Sequence, residues 1–387
     1  MVNTHFLRIR TTLLPFGILL FFTLIPIFST QTPTITAIQT SVASLKTAQA
    51  EPDMLIFLSP QYAHDVDVRT AITTYMTSVH DDIQWNTTLV IISPQNNTYQ
   101  TIDTIIEETY KHHPLKACIM VGEDLDTPCS GCHDSIERPS TVPWYTIGGE
   151  SRYEQTDHTI IAKPYLMDVC VALLYPPITL PYETKKTQLT DAFTKFTQRY
   201  HPFTNELTVL ESSAFTSISK QLYTQLGAFG DLTYLTDPAQ PDLQTTLRHP
   251  CSLYLVHGHS NPSGTSLNMN HTLWFSAATV DAVDAPLFAA DGCYVNGWWS
   301  NEPKTTTLSP SNEQPWYGSK IFSNPTINVM ILGLLSQAGY PYPVSFTENA
   351  MPALLHGATL ADSMIGHTYI GDNVIIYGDP TFHFTMQ

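Results

Sequence analysis

Positive charge is scarce in this sequence. Its 387 residues include 17 lysines and arginines against 34 aspartates and glutamates, which gives a formal net charge of −17. Proteins that bind nucleic acids or anionic membrane surfaces usually present clusters of Lys and Arg to the phosphates. The composition therefore disfavours nucleic acid as a partner, and a soluble acidic surface is the simplest interpretation of the charge.

The motifs of several common enzyme classes are also absent. The chain contains no glycine-rich phosphate loop, no His-Glu-x-x-His and no Gly-x-Ser-x-Gly. Nucleotide-binding, zinc-peptidase and serine-hydrolase functions therefore lack support. No short-period repeat is visible, and a chain of this length with 43% hydrophobic residues is able to bury a large core.

The N-terminal region has the pattern of an export signal. Basic residues precede an apolar stretch from Leu13 to Phe28. This order predicts a cleaved signal peptide or an uncleaved membrane anchor over residues 1–30, in contact with the membrane or the export machinery. Residues 31–53 are rich in Thr, Ser, Gln and Ala, which predicts a polar linker. We therefore expect the remainder to be secreted or held at the cell surface.

From Met54 onwards, short apolar runs alternate with segments of helical periodicity. Continuous apolar runs are typical of strands in a parallel sheet that is covered on both faces. The pattern predicts an N-terminal α/β subdomain over residues 54–202 and a second α/β subdomain over residues 203–387. It also predicts one late helix from Phe346 to Ile365, and no strand or amphipathic helix within residues 1–50.

Two of the predicted strands end in a reactive side chain beside glycine. The run Ser252-Leu-Tyr-Leu-Val ends at His257-Gly258-His259, and the run Pro286-Leu-Phe-Ala-Ala-Asp-Gly ends at Cys293. Chemistry in α/β sheets collects beyond the carboxyl ends of parallel strands, so both side chains are expected at one crevice. A thiol beside an imidazole is the minimal arrangement for a cysteine nucleophile, because the imidazole transfers protons while the thiolate attacks an acyl carbon.

Both residue types also have a purely structural interpretation. A histidine after an apolar strand is often partly buried, and free cysteine is among the most buried residue types. Against this, Gly292 before Cys293 and Asn296-Gly297 after it are turn residues, which indicate a strand-to-loop corner with an exposed thiol. Asp291 either orients a histidine or raises the pKa of the thiol by charge repulsion.

These patches resemble the gingipain-type cysteine peptidases, within the clan that also contains caspases and legumains. The resemblance rests on His-Gly after one apolar run, on a cysteine 36 residues after His257, on Cys293-x-Val-Asn-Gly297 and on the closing Tyr377-Gly-Asp-Pro-Thr381. It implies a caspase-like α/β fold of two adjacent subdomains, with mostly parallel sheets flanked by helices. It also implies a cysteine endopeptidase that acts on a polypeptide substrate and requires no cofactor.

Two other functions remain open for the same fold. One is a non-catalytic surface or adhesive protein, and the other is a transpeptidase or processing enzyme of the same clan. The second alternative uses the same acyl-enzyme but transfers the acyl group to an amine instead of water.

The resemblance also implies roles for individual residues. Cys293 is expected to attack the scissile carbonyl and His257 to transfer protons, while the N–H groups of Gly258 and Cys293 hold the oxyanion. His259 is the alternative catalytic histidine, because Gly258-His259 matches part of the Gly-His-Gly pattern of gingipains. Ser260 replaces the last glycine of that pattern, and we favour His257.

Three residues are candidates for the substrate pocket. Glu211 falls near the place of an acidic specificity residue of arginine-cleaving gingipains, which suggests a basic P1 residue. Trp298 and Trp299 follow the nucleophile, where aromatic side chains often line a peptidase cleft, although core packing explains such residues equally well.

Two further clusters offer different chemistry. Cys129-Ser-Gly-Cys132-His133 matches haem attachment and redox or metal-binding pairs, but a disulfide or free thiols are favoured because no helical pocket or second axial ligand is apparent. Glu123, Asp124 and Asp126 follow a predicted strand and offer oxygen ligands for a structural calcium ion, against the simpler alternative of a solvated loop.

The remaining cysteines lie in apolar strands and are predicted to be buried, unreactive thiols: Cys118, Cys170 and Cys251.

Overall fold

Among the described residues, eleven strands form one continuous sheet in the computed structural model of the chain. The structure describes residues 38–39, 51–126, 129–130, 138–139, 153–156, 159–162, 165–261, 264–292, 317–332, 350–369 and 374–385. In chain order the strands are β1 (Ile38–Gln39), β2 (Met54–Leu58), β3 (Thr87–Ile91), β4 (Ala117–Val121), β5 (Cys170–Leu174), β6 (Glu206–Glu211), β7 (Asp231–Thr236), β8 (Leu253–His257), β9 (Leu287–Asp291), β10 (Val329–Leu332) and β11 (Ile375–Gly378). Side by side they follow the order β1-β3-β2-β4-β5-β11-β10-β9-β8-β6-β7.

Burial explains why these segments form strands. β2, β4, β5, β8 and β9 are buried along their whole length and are almost entirely apolar. Such runs are stable only where both faces of a sheet are covered. The predicted α/β class, with a large and mostly parallel sheet flanked by helices, is confirmed.

The direction of the strands reverses once across the sheet. β11 pairs parallel with β5 but antiparallel with β10, while the other strand pairs of the sheet are parallel. β1–β5 therefore form one half of the sheet and β6–β10 the other half, with β11 between them. As a result, the carboxyl ends of the two halves lie at opposite edges of one sheet.

Helices connect the strands of both halves. The helix α1 (Val66–Ile83) is capped by Asp65, whose carboxylate accepts hydrogen bonds from the backbone of Asp67 and Val68. It packs against α3 (Tyr182–Phe196) through Tyr75 and Phe193, whose ring centroids are 5.4 Å apart. The α-helices are α1 (Val66–Ile83), α2 (Tyr99–His112), α3 (Tyr182–Phe196), α4 (Thr216–Gln225), α5 (Gln240–Thr246), α6 (Lys320–Ser323), α7 (Met351–Leu355) and α8 (Leu360–Met364). Short 3-10 helices span Pro60–Tyr62, Pro94–Asn96, Leu226–Ala228, Ala277–Ala282 and Tyr317–Ser319.

Two of the predictions about secondary structure are wrong. The late helix is not continuous: Gly357 takes φ +88°, and α8 begins anew at Thr359, whose hydroxyl accepts a hydrogen bond from Asp362 N. Residues 1–50 also contribute to the sheet, because β1 pairs parallel with β3 through Ile38 and Val90 and forms the edge of the sheet there. Short polar segments give little periodic signal, so an added edge strand of two residues escapes detection.

Several small sheets surround the main one. A three-stranded antiparallel sheet directly follows β8 and consists of His259–Asn261, Gly264–Ser266 and Trp274–Ser276. The two-stranded pairs are Tyr200–Pro202 with His383–Thr385, Tyr165–Leu166 with Thr368–Tyr369, Cys129–Ser130 with Arg138–Pro139, and Tyr153–Thr156 with Thr159–Ala162. In the part of the chain that the structure describes, no helix has the length and apolarity that a membrane span requires.

Candidate active site

Three ionisable side chains stand in a row at the carboxyl edge of the second half of the sheet. β6 ends at Glu211, β8 at His257 and β9 at Asp291, and these strands are parallel neighbours. The register pairs Glu211 with His257 and His257 with Asp291, so the three side chains share one face of the sheet. All three residues are fully buried.

The His257 ring lies between the two carboxyl groups. Its Nδ1 is 2.9 Å from Glu211 Oε1, and its Nε2 is 3.5 Å from Asp291 Oδ2. Two tyrosines complete the cluster: the Tyr234 hydroxyl donates to Glu211 Oε2, and the Tyr223 hydroxyl donates to Asp291 Oδ2 at 3.3 Å. Buried carboxyl groups are stable only with such partners, so this row ties the ends of three strands together.

Burial changes the acidity of this row. The pKa of Asp291 is raised to about 6: burial is the largest cause and the nearby Glu211 adds to it, while His257 and the Tyr223 hydrogen bond lower it. Burial likewise raises the pKa of Tyr223 well above its usual value, so its hydroxyl keeps its proton and stays a donor. Asp291 therefore retains its proton to a higher pH than an exposed aspartate does.

The second histidine, His259, is exposed. It lies on the first strand of the small antiparallel sheet, with its ring 4.9 Å from the ring of Phe215 and 5.3 Å from the ring of His271. Partial burial lowers the pKa of His259, and the neighbouring His271 and His257 lower it further. His259 is therefore the histidine whose ring is neutral and open to solvent, whereas His257 is enclosed. The sequence favoured His257, and the structure shows that His257 is the enclosed one of the two.

The backbone before Cys293 packs tightly against both neighbours of His259. A Cβ atom placed on Gly292 would lie 2.3 Å from the carbonyl oxygen of Gly258 and 2.1 Å from Ser260 Oγ. Only a glycine permits this approach. Gly292 thus places the chain that leads into Cys293 beside His259. Cys293 itself lies outside the described residues, and so do Trp298 and Trp299.

Two of the predicted roles conflict with this geometry. The backbone N–H of Gly258 donates to the carbonyl oxygen of Asp291 at 3.1 Å, so it is engaged within the sheet and does not point to a substrate oxyanion. Glu211 is fully buried against His257 and Tyr234, so its carboxylate is not accessible to a basic P1 side chain.

The carboxylates proposed as calcium ligands face protein donors. Glu123 is buried and accepts a hydrogen bond from Lys185 Nζ at 2.5 Å, while Asp124 and Asp126 accept from backbone N–H groups at 3.3 and 2.9 Å. Within the described ranges, no group of three or more His, Cys, Asp or Glu residues is arranged to hold a metal ion. A calcium site at these residues stays a prediction without geometric support.

The cysteines away from the site are only partly described. As their strand positions predict, Cys118, Cys170 and Cys251 are buried free thiols, and burial raises the pKa of each. Cys132 and His133 lie outside the described residues, so the Cys-x-x-Cys-His segment keeps the interpretations given above.

The sequence did not point to four residues of the site. Phe215 lies in the turn before α4, Tyr223 lies in α4 and Tyr234 lies in β7. No spacing in the chain relates these three residues to His257. His271 lies 12 residues after His259 in an irregular polar stretch, and the fold of the small antiparallel sheet brings the two rings together.

Comparisons with known proteins identify the fold. No protein-family model matches the chain, and no curated protein matches its sequence. The crystal structure of the Arg-specific cysteine proteinase gingipain R (RgpB) is similar, with a TM-score of 0.56 over 87% of this chain and 79% of that chain at 13% identity. A complex of the Porphyromonas gingivalis RgpB pro- and mature domains gives a TM-score of 0.55 over 85% and 79% at 12% identity. The chain therefore shares the caspase-like fold of these cysteine proteinases, and a likeness at this identity shows the fold alone.

Proposed function

We propose that the chain is a cysteine endopeptidase in which Cys293 is the nucleophile and His259 transfers protons. The observation that carries the proposal is the contact of Gly292 with Gly258 and Ser260 at the carboxyl edge of β8 and β9. Ligand and catalytic sites of α/β folds gather at this edge. The fold, which is similar to that of cysteine proteinases, adds support but does not assign the residues.

The exposure of the two histidines supports the choice of His259. A general base has to reach both the thiol and the leaving group, and His259 is exposed while His257 is fully buried. A lowered pKa keeps the His259 ring neutral and able to accept a proton. His257, with Glu211 and Asp291, then acts as a positioning group that holds the strand ends under the site.

The reaction follows ordinary acyl transfer. The Cys293 thiol gives its proton to the His259 imidazole, and the thiolate attacks the scissile carbonyl carbon to form a C–S bond. The C–N bond then breaks as the imidazolium protonates the leaving amine. Water next attacks the acyl-enzyme and gives a proton to the imidazole, and the C–S bond breaks to release the carboxylic acid. The imidazolium then returns its proton to the Cys293 thiolate. The substrate is a polypeptide, and these steps require no cofactor.

Labelling with an active-site-directed probe tests this function. A peptidyl acyloxymethyl ketone should label the folded chain at Cys293, and labelling should fall sharply in Cys293→Ala and His259→Ala but not in Cys251→Ala, which removes a buried thiol. A folded sample that stays unlabelled at Cys293 would favour the non-catalytic surface protein. Product analysis with an added amine acceptor separates hydrolysis from transpeptidation.

We also propose that residues 51–387 act outside the cytoplasmic membrane. The basic N-terminus, the apolar stretch to Phe28 and the acidic remainder support this location. In sealed inverted vesicles, an exported domain should resist added protease. Digestion of residues 54–387 by that protease would place the domain in the cytoplasm.

A further inference from the structure

Two exposed histidines face each other beside the proposed catalytic centre. His259 lies on the first strand of the small antiparallel sheet, and His271 lies in the loop before its last strand. Their ring centroids are 5.3 Å apart and their planes are inclined by 59°. Neither residue is in the buried row of Glu211, His257 and Asp291, so the pair is accessible from solvent.

Hydrogen bonds determine which nitrogen of His271 is available. The Ser266 hydroxyl has one proton and donates it to the carbonyl oxygen of Asn268 at 2.9 Å. Ser266 Oγ, 3.0 Å from His271 Nδ1, therefore accepts from Nδ1–H. This tautomer leaves the lone pair of His271 Nε2 free to bind a cation. Metal-ligating histidines are oriented by the same kind of bond from the second ring nitrogen.

The backbone around His271 holds its ring in place. His271 takes φ +53°, its N–H donates to the carbonyl oxygen of Asn268, and its own carbonyl accepts from Trp274 Nε1 at 2.9 Å. The His259 ring is held on its other side by the ring of Phe215. Both imidazoles are therefore positioned before any ligand arrives.

The spacing of the rings suits a tetrahedral metal ion. With a Zn–N distance of about 2.0–2.1 Å, zinc lies about 3.2 Å from the centroid of an imidazole that binds it. Two such rings at a tetrahedral angle have centroids about 5.2 Å apart. The observed separation of 5.3 Å agrees with this value.

We propose that His259 and His271 form a two-histidine site for Zn²⁺, and that bound zinc prevents His259 from transferring protons. The second half of this statement rests on the proposed function, while the first half does not. Two protein ligands leave the other coordination positions to water, so binding is reversible and weaker than at a structural zinc site. Bound zinc would thus inhibit the peptidase by occupying a ring nitrogen of His259 that proton transfer requires.

Zinc binding is best measured on the full-length chain with Cys129→Ser, Cys132→Ser and Cys293→Ala, which removes the Cys-x-x-Cys pair and the Cys293 thiol as competing zinc ligands. Competition with a fluorescent zinc chelator at neutral pH gives the dissociation constant. We expect His259→Ala and His271→Asn, each in this background, to raise that constant at least about tenfold. Asparagine is used at 271 because it tolerates a positive φ. His249→Ala, at an exposed histidine elsewhere, should leave the constant unchanged. An unchanged constant in either site variant would overturn the two-histidine site.

The inhibitory effect is measured as the ratio of peptidase activity with and without zinc in each protein. We expect His271→Asn to need at least about tenfold more zinc than the unmodified chain for half inhibition. Equal sensitivity of the two proteins would overturn the inhibitory role. If the unmodified chain cleaves no peptide, the proposed peptidase fails, while the chelator titration still decides whether the zinc site exists.

Discussion

Replacing Gly292 by alanine should separate the two halves of the proposed catalytic centre. The added Cβ would lie 2.3 Å from the Gly258 carbonyl oxygen, against an ordinary contact of 3.4–4 Å. The backbone of Gly258 is tied to β9 by the hydrogen bond from its N–H to the Asp291 carbonyl oxygen, so it is less able to move than a flexible side-chain end. The segment that leads into Cys293 and the segment that carries His259 must therefore move apart by about 1 Å.

The expected effect is larger on reactivity than on stability. Overpacking of this kind typically lowers the free energy of unfolding by about 1–3 kcal/mol. A displacement of about 1 Å between reacting groups reduces rates by about a hundredfold. We therefore expect Gly292→Ala to remain folded at room temperature and to react with the acyloxymethyl ketone probe about a hundredfold more slowly.

The assay combines the rate of probe labelling at Cys293 with the urea midpoint of the same sample. Gly227→Ala is the matched control, because a Cβ at that position meets only Leu232 Cβ at 3.9 Å, an ordinary contact. If Gly292→Ala labels as fast as the control, the packing of Gly292 on Gly258 does not set the reactive geometry and the reasoning fails.

Three further changes test buried polar contacts of the fold. Glu211→Ala leaves the buried His257 without its carboxylate partner and should lower the free energy of unfolding in urea by about 3–5 kcal/mol. Glu211→Gln is the control, and an equally small loss in the two variants would contradict a structural role for the charge. The folded-state pKa of Asp291 is raised to about 6, so the unfolded chain loses the Asp291 proton at a lower pH than the folded chain does. The free energy of unfolding should therefore fall by roughly 2–3 kcal/mol as the pH rises from about 4 to 6. Asp291→Asn should abolish that slope in urea midpoints measured across the range, and an unchanged slope would assign it to another group. Lys195→Met removes an ammonium that donates to three backbone carbonyls at 2.6–3.1 Å. The free energy of unfolding in urea should fall by about 2–4 kcal/mol, because those carbonyls lose their donor. An unchanged urea midpoint would show that water replaces the ammonium.

The sequence was a good guide where burial dictates the pattern. β8 and β9 were predicted within two residues of their observed bounds, because apolar runs at sheet centres leave few alternatives. The same reasoning placed His257 and the chain before Cys293 at neighbouring strand ends, and the register of β8 with β9 agrees.

The parts that escaped prediction depend on tertiary geometry. His257 and His259 have the same local signal, and only the fold shows that the first lies under α4 while the second lies on the exposed antiparallel sheet. Glu211 resembled a pocket residue because its position in the chain matched, yet the register with β8 aims its carboxylate into the protein. His271 lies next to His259 only because two short antiparallel pairings fold the chain back on itself, and the sequences of these strands show no strand periodicity.

The position of β11 has a consequence for how the chain is made. This strand is the last of the sheet to be synthesised, yet it lies in the middle, with β5 on one side and β10 on the other. Until residues 375–378 emerge, both of these apolar strands present an open edge to other chains. Contacts that join distant parts of the sequence form slowly, so we expect folding to wait until residues 375–378 are available. Chains that stop short of this strand should aggregate instead of folding into a smaller stable unit.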